Sequence, residues 1–325
     1  MRKFHFKAYL GVRFAENLTN RELKSVYSEI ERLTEYYKLT FDNKVIVDKV
    51  LFFFAENPKE IEDVNKKFEW VFTDQVLIIE FESDSDNFSK NRLSVGYFVE
   101  KRIRDLVIAI SIAKKGGIDI GEGARVFING EYKAKFSSVI HNIGASIERA
   151  NAIKWPKLKI LDLEQTINWL NKYQNKTDSL SNDKISRALN AYSYLFKTRG
   201  GDDNASELFW AMVGIESIYA EGNANIVNQV NLKSQIFLGK RKEFKKSFNE
   251  MYDYRSRFVH GDLDFINNFV LRDNTEEVFK HWTDLGENQD LATAVLIATF
   301  QKLIVSNWTS LDFEYKVVKI SNLKE

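Results

Sequence analysis

The spacing of hydrophobic and polar positions changes near residue 150. Before that point, four segments rich in Val, Ile, Phe and Tyr are typical of β-strands: Phe4 to Phe14, Lys44 to Ala55, Phe68 to Phe81 and Arg125 to Phe136. The last contains Asn129-Gly130, a signal for a two-residue hairpin turn. Apolar residues at helical spacing predict helices over Asn20 to Tyr37 and Tyr97 to Lys115. Residues 1–150 are therefore predicted to form an α+β N-terminal domain, for which a sensor or regulatory role is one interpretation.

After Trp155-Pro156 the pattern is helical almost to the end of the chain. Residues 151–180 are predicted to contain a connecting helix, and residues 181–310 an all-α helical bundle. The predicted helices are Leu161 to Tyr173, Asp183 to Thr198, a helix capped near Asp202 and running to Tyr219, Val227 to Leu238, Arg241 to Val259 and Leu291 to Trp308. The last is apolar on nearly all sides, so we expect it at the centre of the bundle. Residues 311–325 are predicted to be a strand or an extended tail.

Composition restricts the chemistry that this chain can perform. It has no cysteine and only four histidines among 325 residues, so thiolate nucleophiles and thiolate zinc sites are excluded and no HExxH-like metal spacing is present. The apolar runs are too short to cross a bilayer and no secretion signal is evident, so we expect a cytoplasmic protein without membrane contact. A net charge of +1 argues against coating nucleic acid by bulk electrostatics. Local basic surfaces remain compatible with RNA binding.

One segment combines a phosphate-binding cation with a side chain that titrates near neutral pH. Arg255 and His260 lie five residues apart at the predicted end of a helix, and Gly261 follows at the position expected for a left-handed cap. Such a pair is the minimum equipment for cleaving RNA without a metal. The structural alternative is that both side chains only stabilise the negative end of the helix dipole.

The residues of this segment resemble a known family. Arg255-Ser256-Arg257-Phe258-Val259-His260 resembles the Rx4-6H signature of HEPN domains, and its setting resembles the ApeA-like HEPN subgroup. The block from Glu207 to Tyr219 is similar to the second helix of those domains. The resemblance covers roughly residues 180 to 310. Lys233-Ser-Gln departs from it, because an arginine-containing pattern is expected there.

The resemblance implies an endoribonuclease without metal or cofactor, working as a homodimer whose two motifs face each other. His260 would be the general acid or base, Arg255 would hold the scissile phosphate, and the product would be a 2′,3′-cyclic phosphate. Glu216 is expected to orient Arg255 through a bidentate pair. Within one helix, residues five apart are rotated by about 140°. Two residues on opposite sides of a helix do not reach the same phosphate. Unwinding at Gly261 would turn His260 toward Arg255, and a cleft shared by two chains would not need both residues on one face.

Further assignments concern the residues around the motif. Ser256 and Arg257 are supporting residues that contact RNA or are simply solvated, and Lys242 and Lys246 lie one turn apart, where they would follow a phosphate backbone. The implied role is a toxin-like effector of bacterial anti-phage defence, controlled by a trigger or regulatory protein. Two alternatives stay open: a non-catalytic HEPN module for dimerisation or nucleotide sensing, and a scaffold unrelated to HEPN domains.

Overall fold

The structure is a computed structural model. It describes residues 3–14, 18–35, 39–41, 44–47, 50–55, 57–69, 75–83, 92–114, 117–136, 143–173, 180–198, 206–222, 224–241, 244–264 and 275–314.

The N-terminal half is built on an antiparallel sheet. Its strands are β1 (Phe4–Phe14), β4 (Val50–Phe54), β5 (Gln75–Ser83), β6 (Ile118–Ile128) and β7 (Glu131–Phe136), in the order β4-β5-β1-β6-β7, while β2 (Leu39–Phe41) and β3 (Lys44–Val47) form a separate pair. In β1, alternate residues such as Phe6, Ala8 and Leu10 are buried on one face, as the period of two requires. Asn129 and Gly130 both have positive φ, so the predicted hairpin turn between β6 and β7 is confirmed.

Ten helices occur in the described part of the chain. They are α1 (Asn20–Glu31), α2 (Pro58–Phe68), α3 (Arg92–Ala113), α4 (Gly144–Ile153), α5 (Leu163–Asn171), α6 (Lys184–Thr198), α7 (Ser206–Tyr219), α8 (Ile226–Leu238), α9 (Phe244–His260) and α10 (Glu276–Ser306). The predicted order of a sheet region followed by helices is thereby confirmed. Residues 311–314 form neither strand nor helix, and the rest of the predicted tail lies outside the described residues.

Several predicted boundaries were wrong, among them the first residue of β6, which is Ile118 and not Arg125, and that of α3, which is Arg92 and not Tyr97. Phe68 ends α2 and does not begin a strand, because Asn57 caps that helix through its side chain and Pro58 occupies the first turn. The final helix begins at Glu276, fifteen residues before the predicted start, with Thr275 as its N-cap. The predicted strand Lys44 to Ala55 is divided between β3 and β4.

Both halves of the chain contribute to one continuous hydrophobic core, in which α10 is fully buried from Leu291 to Ile304 except at Lys302. The Glu29 carboxylate joins three elements: it accepts hydrogen bonds from Lys114 Nζ at 2.7 Å and from the backbone N–H of Leu163 at 2.9 Å. The domain division near residue 150 stays a prediction, but the two sides are packed together. No helix in the described ranges is both long and apolar enough to cross a membrane.

Candidate functional site

The predicted motif lies on α9, which packs against α7 and α10. At about 100° per residue, Phe248, Met251 and Arg255 share one face of α9. Phe248 and Met251 are fully buried, and Arg255 continues their face toward α7 with 21% of its side chain exposed. Arg255 is therefore directed into the protein and not toward open solvent.

Glu216 on α7 faces Arg255, as the sequence predicts. The distance from Arg255 Nη2 to Glu216 Oε2 is 3.6 Å, which is an ion pair but longer than a normal hydrogen bond. The predicted bidentate pair is not formed. The guanidinium also lies over two aromatic rings, 5.9 Å from the centre of Phe209 and 5.8 Å from that of Tyr252. These contacts fix the position of the positive charge between α7 and α9.

The pairing leaves polar atoms without partners. Arg255 Nε and Glu216 Oε1 are both buried and have no hydrogen-bond partner in the described part of the chain. Burial raises the pKa of Glu216 above its ordinary value, and the nearby Arg255 charge offsets this only in part. The carboxyl group is thus easier to protonate than an exposed glutamate.

His260 is the last residue of α9 and is exposed to solvent. Within the described ranges it forms no hydrogen bond and no ion pair. Gly261 then takes a φ of +76°, and the N–H groups of Gly261 and Asp262 bond to the carbonyls of Phe258 and Arg257. This is a Schellman C-cap, so the cap predicted at Gly261 is confirmed.

The C-cap fixes the directions in which the Arg255 and His260 side chains leave the helix in one chain. Because α9 remains helical through His260, the unwinding that would rotate this residue toward Arg255 does not occur. The two side chains leave the helix about 140° apart, one toward α7 and the other toward solvent. One chain therefore does not bring the two side chains together.

The supporting residues have separate local roles. Arg257 donates from Nε and Nη2 to the backbone carbonyl of Asp262, at 3.4 and 3.3 Å, and lies 4.0 Å from the carboxylate of Asp253. It thereby holds the chain just beyond the helix. Ser256 is half-buried on the same helix. Neither residue lies on the inward face that carries Arg255.

Of the two lysines predicted to bind RNA, Lys246 lies within the described part of the chain and Lys242 does not. Lys246 is exposed near the start of α9, where its ammonium lies 3.9 Å from the carboxylate of Glu250 one turn later. Lys242 lies outside the described residues. The position of Lys246 on a solvated helix face is compatible with contact to a phosphate backbone but does not require it.

The sequence indicates no partner for a second histidine. His281 on α10 lies beside Tyr254 on α9, with ring centroids 6.5 Å apart. Burial, and next the negative charge of Asp284, raise the pKa of Tyr254. No local sequence signal connects these residues, because the contact depends on how α9 and α10 pack.

Lys233 lies where the sequence departs from the HEPN pattern, and its side chain has several partners within the protein. Lys233 on α8 is almost fully buried; its ammonium donates to Gln229 at 3.1 Å and lies 3.5 Å from the Glu221 carboxylate. It also lies over the ring of Phe313. Lys233 thus connects α8 to the segment that follows α10.

The described side chains contain no group of three or more His, Cys, Asp or Glu placed to hold a metal ion. No protein-family model, curated protein or solved structure matches the chain. The resemblance to HEPN domains therefore rests on the motif residues and on their surroundings.

Proposed function

We propose that this protein is a metal-independent endoribonuclease of the HEPN type that acts as a homodimer. The observation that supports it most is the combination at α9: Arg255 is held by Glu216 and two aromatic rings, while His260 stands exposed at a capped helix end. An arginine fixed in position and a histidine accessible to substrate are the two parts that metal-free RNA cleavage needs.

In this proposal, His260 and Arg255 have separate roles in a transesterification reaction. The 2′-oxygen of the substrate attacks the adjacent phosphorus, and its proton passes to a general base. The bond from phosphorus to the 5′-oxygen then breaks, and a general acid protonates the leaving oxygen. His260 serves as one of these two groups, and Arg255 neutralises the charge that develops on the phosphate. The products are a 2′,3′-cyclic phosphate and a free 5′-hydroxyl.

The proposal requires a second copy of the chain. Arg255 and His260 diverge by about 140° on α9, so a single chain does not direct both at one phosphate. A two-fold dimer places equivalent surfaces opposite each other, which allows His260 of one copy to meet Arg255 of the other. The dimer is thus part of the active site in this account.

One observation favours the alternative of a non-catalytic module. Arg255 is mostly buried and already neutralised by Glu216, which is also the environment of an arginine that only joins two helices. In that case the pair stabilises the packing of α7 on α9, and His260 has no chemical role. The toxin-like role in anti-phage defence, with a trigger protein acting through the N-terminal half, depends on the catalytic form of the proposal.

Cleavage of labelled RNA in EDTA distinguishes the nuclease from the non-catalytic module. Purified wild-type protein, His260→Ala and Arg255→Ala are compared on structured and single-stranded RNA, and the 3′ ends of the products are identified. We expect wild type to produce cyclic phosphate and both variants to lose at least a hundredfold in rate, in the range typical of acid–base catalysis. Cleavage by dimeric wild type that persists in both variants would contradict the assignment of the two residues.

A further inference from the structure

The Arg255 and Glu216 side chains keep unused hydrogen-bonding capacity. Neither forms a hydrogen bond within the described part of the chain, because their one contact, from Nη2 to Oε2, is 3.6 Å long. Arg255 Nε and Glu216 Oε1 are buried without a partner, whereas Glu216 Oε2 and the terminal nitrogens of Arg255 are not among the buried unpartnered atoms. The carboxylate oxygen and the cation that face each other therefore reach solvent together, between α7 and α9.

This geometry differs from that of a pair that only joins two helices. A buried arginine and carboxylate that stabilise a fold need short, well-directed hydrogen bonds to offset the free energy lost when both charges leave water. Arg255 and Glu216 are instead held apart, and one buried atom of each stays unsatisfied. A catalytic role is one reason for a folded protein to keep such atoms.

We propose that Glu216 is the general base that takes the proton from the 2′-hydroxyl of the RNA, and that His260 of the other copy is the general acid. This inference rests on the proposed function, which leaves one of the two proton-transfer groups without an assigned residue. Glu216 is a suitable base because its carboxylate accepts a proton, opens to solvent through Oε2 and lies beside the arginine that holds the phosphate.

The distances bring Glu216 Oε2 close to the attacking oxygen of the substrate. A phosphate oxygen bound by Arg255 Nη2 lies about 2.8 Å from that nitrogen. When the nucleotide is ready to react, its 2′-oxygen lies about 3–3.5 Å from the phosphorus. A carboxylate oxygen 3.6 Å from Nη2 can therefore accept a hydrogen bond from the 2′-hydroxyl while Arg255 holds the phosphate.

The direction of attack explains why the acid comes from a second copy. The 2′-oxygen and the leaving 5′-oxygen lie on opposite sides of the phosphorus, so the base and the acid must also lie on opposite sides. Glu216 takes the 2′-hydroxyl proton as the bond from the 2′-oxygen to phosphorus forms. His260 of the other copy gives its proton to the 5′-oxygen as the bond from phosphorus breaks. Both residues then exchange protons with water before the next turnover.

The surroundings of the Glu216 carboxyl suit a general base. Burial raises its pKa, and the positive charge of Arg255 opposes that rise only in part. Among the described elements that pack on α7, Arg255 provides the one charge that acts on this carboxyl. A base is most effective when its pKa is close to the working pH, because it is then both ionised and basic.

Cleavage rates on two substrates test the assignment. The first is an RNA with one mapped wild-type cleavage site, and the second has sulfur in place of the bridging 5′-oxygen at that site. A thiolate leaves without being protonated, so the second substrate needs a base but no acid. The variants are Glu216→Gln, Glu216→Asp and His260→Ala. The control is Glu207→Gln, which changes another largely buried carboxyl of α7, about 13 Å away along the helix.

We expect Glu216→Gln to be at least a hundredfold slower than wild type on both substrates, in the range typical of a lost acid–base group. His260→Ala should be equally slow on the first substrate but within about tenfold of wild type on the second. On the acidic side of the pH profile with the sulfur substrate, the wild-type rate should rise about tenfold per pH unit. Glu216→Asp should keep this dependence, and Glu216→Gln should lose it. The control should stay within about threefold of wild type.

Three results would overturn this inference while the nuclease proposal stands. The first is a Glu216→Gln rate within about threefold of wild type. The second is a sulfur substrate that restores Glu216→Gln and not His260→Ala, which would reverse the two roles. The third is a slow Glu216→Gln that keeps the wild-type pH dependence, which would make Glu216 only a positioning residue for Arg255. A dimeric wild type that cleaves neither substrate would overturn both proposals. Sedimentation and circular dichroism melting confirm that each variant is a folded dimer.

Discussion

The carboxyl group of Glu216 experiences two opposing effects. Its burial on α7 disfavours the charged form, and the guanidinium of Arg255 favours it, but burial is the larger effect and the pKa is raised above 4.5. A carboxyl group whose pKa is higher in the folded state stabilises the fold relative to the unfolded chain below pH 4.5. That stabilisation is lost as the pH rises through the folded-state pKa.

Glu216→Gln should therefore change how stability depends on pH. Relative to the variant, wild type should lose free energy of unfolding as the pH rises from about 4.5, until the carboxyl is fully ionised in the folded protein. Urea unfolding at several pH values between 4 and 8 measures this difference. Arg255→Met is the matched control: it leaves the burial of Glu216 unopposed, so the loss should extend to higher pH. Parallel curves for wild type and Glu216→Gln would contradict the account.

The C-terminal end of α9 depends on a glycine. Gly261 has a φ of +76°, and an added Cβ would meet no atom within 4 Å, so only backbone strain opposes substitution there. Gly286 lies within α10, likewise has open space around the position of a Cβ, and has ordinary helical geometry. The two glycines thus form a matched pair that separates strain from packing.

Gly261→Ala should lower the free energy of unfolding by about 1 kcal/mol, because a left-handed conformation is costly for a residue with a Cβ. Gly286→Ala should raise it by up to about 1 kcal/mol, because alanine is the better helix former. Chemical denaturation of both variants checks the signs. A stabilising Gly261→Ala would mean that α9 does not end in the Schellman cap.

Most helices could be predicted from the sequence because their apolar spacing and end signals agree. α8 and α9 were located within a few residues, and Gly261 was recognised as a cap. α2 was missed although Asn57-Pro58 is a helix-start signal, because the adjoining Phe-rich segment favoured a strand. The first fifteen residues of α10 were missed because they are mostly polar and include Gly286.

Only those features of the candidate site that depend on residues close together in the sequence could be predicted. The helix and its cap follow from residue type and spacing, whereas the pairing of Glu216 with Arg255 came from the resemblance to HEPN domains, and its separation of 3.6 Å depends on how the helices pack. The contact of His281 with Tyr254 depends on tertiary packing.

Across the whole molecule, the buried Glu29 carboxylate links the N-terminal half to α5, because it pairs with Lys114 and also accepts a hydrogen bond from Leu163. Lys114 at the end of α3 and Glu29 on α1 are 4% and 8% exposed, and Glu29 also accepts from the first residue of α5. Burial acts to raise the pKa of Glu29, but hydrogen bonds from Lys114, Ser25 and the Leu163 backbone together outweigh it and lower the pKa. The stability that these bonds provide is present above pH 4.5 and is lost as the pH falls through the folded-state pKa.

Lys114→Met should cost about 3–5 kcal/mol near neutral pH, because it leaves the Glu29 charge buried without its cation. Lys101→Met on the same helix breaks a more exposed pair with Asp105 and should cost less than about 1 kcal/mol. Guanidinium unfolding compares the two variants with wild type. The deficit of Lys114→Met should shrink in acid as Glu29 becomes protonated. Equal costs for the two variants would show that the buried Glu29 pair contributes no more to stability than the exposed pair.

The most direct test of the central claim is to mix two inactive variants. Arg255→Ala and His260→Ala chains are unfolded together, refolded in equal amounts and assayed on RNA in EDTA. If Arg255 of one copy works with His260 of the other, half of the dimers are mixed and each has one intact site of two, so about a quarter of wild-type activity should return. No recovery from a mixture shown to contain the mixed dimer, while wild type treated in the same way remains active, would contradict a site shared between two chains.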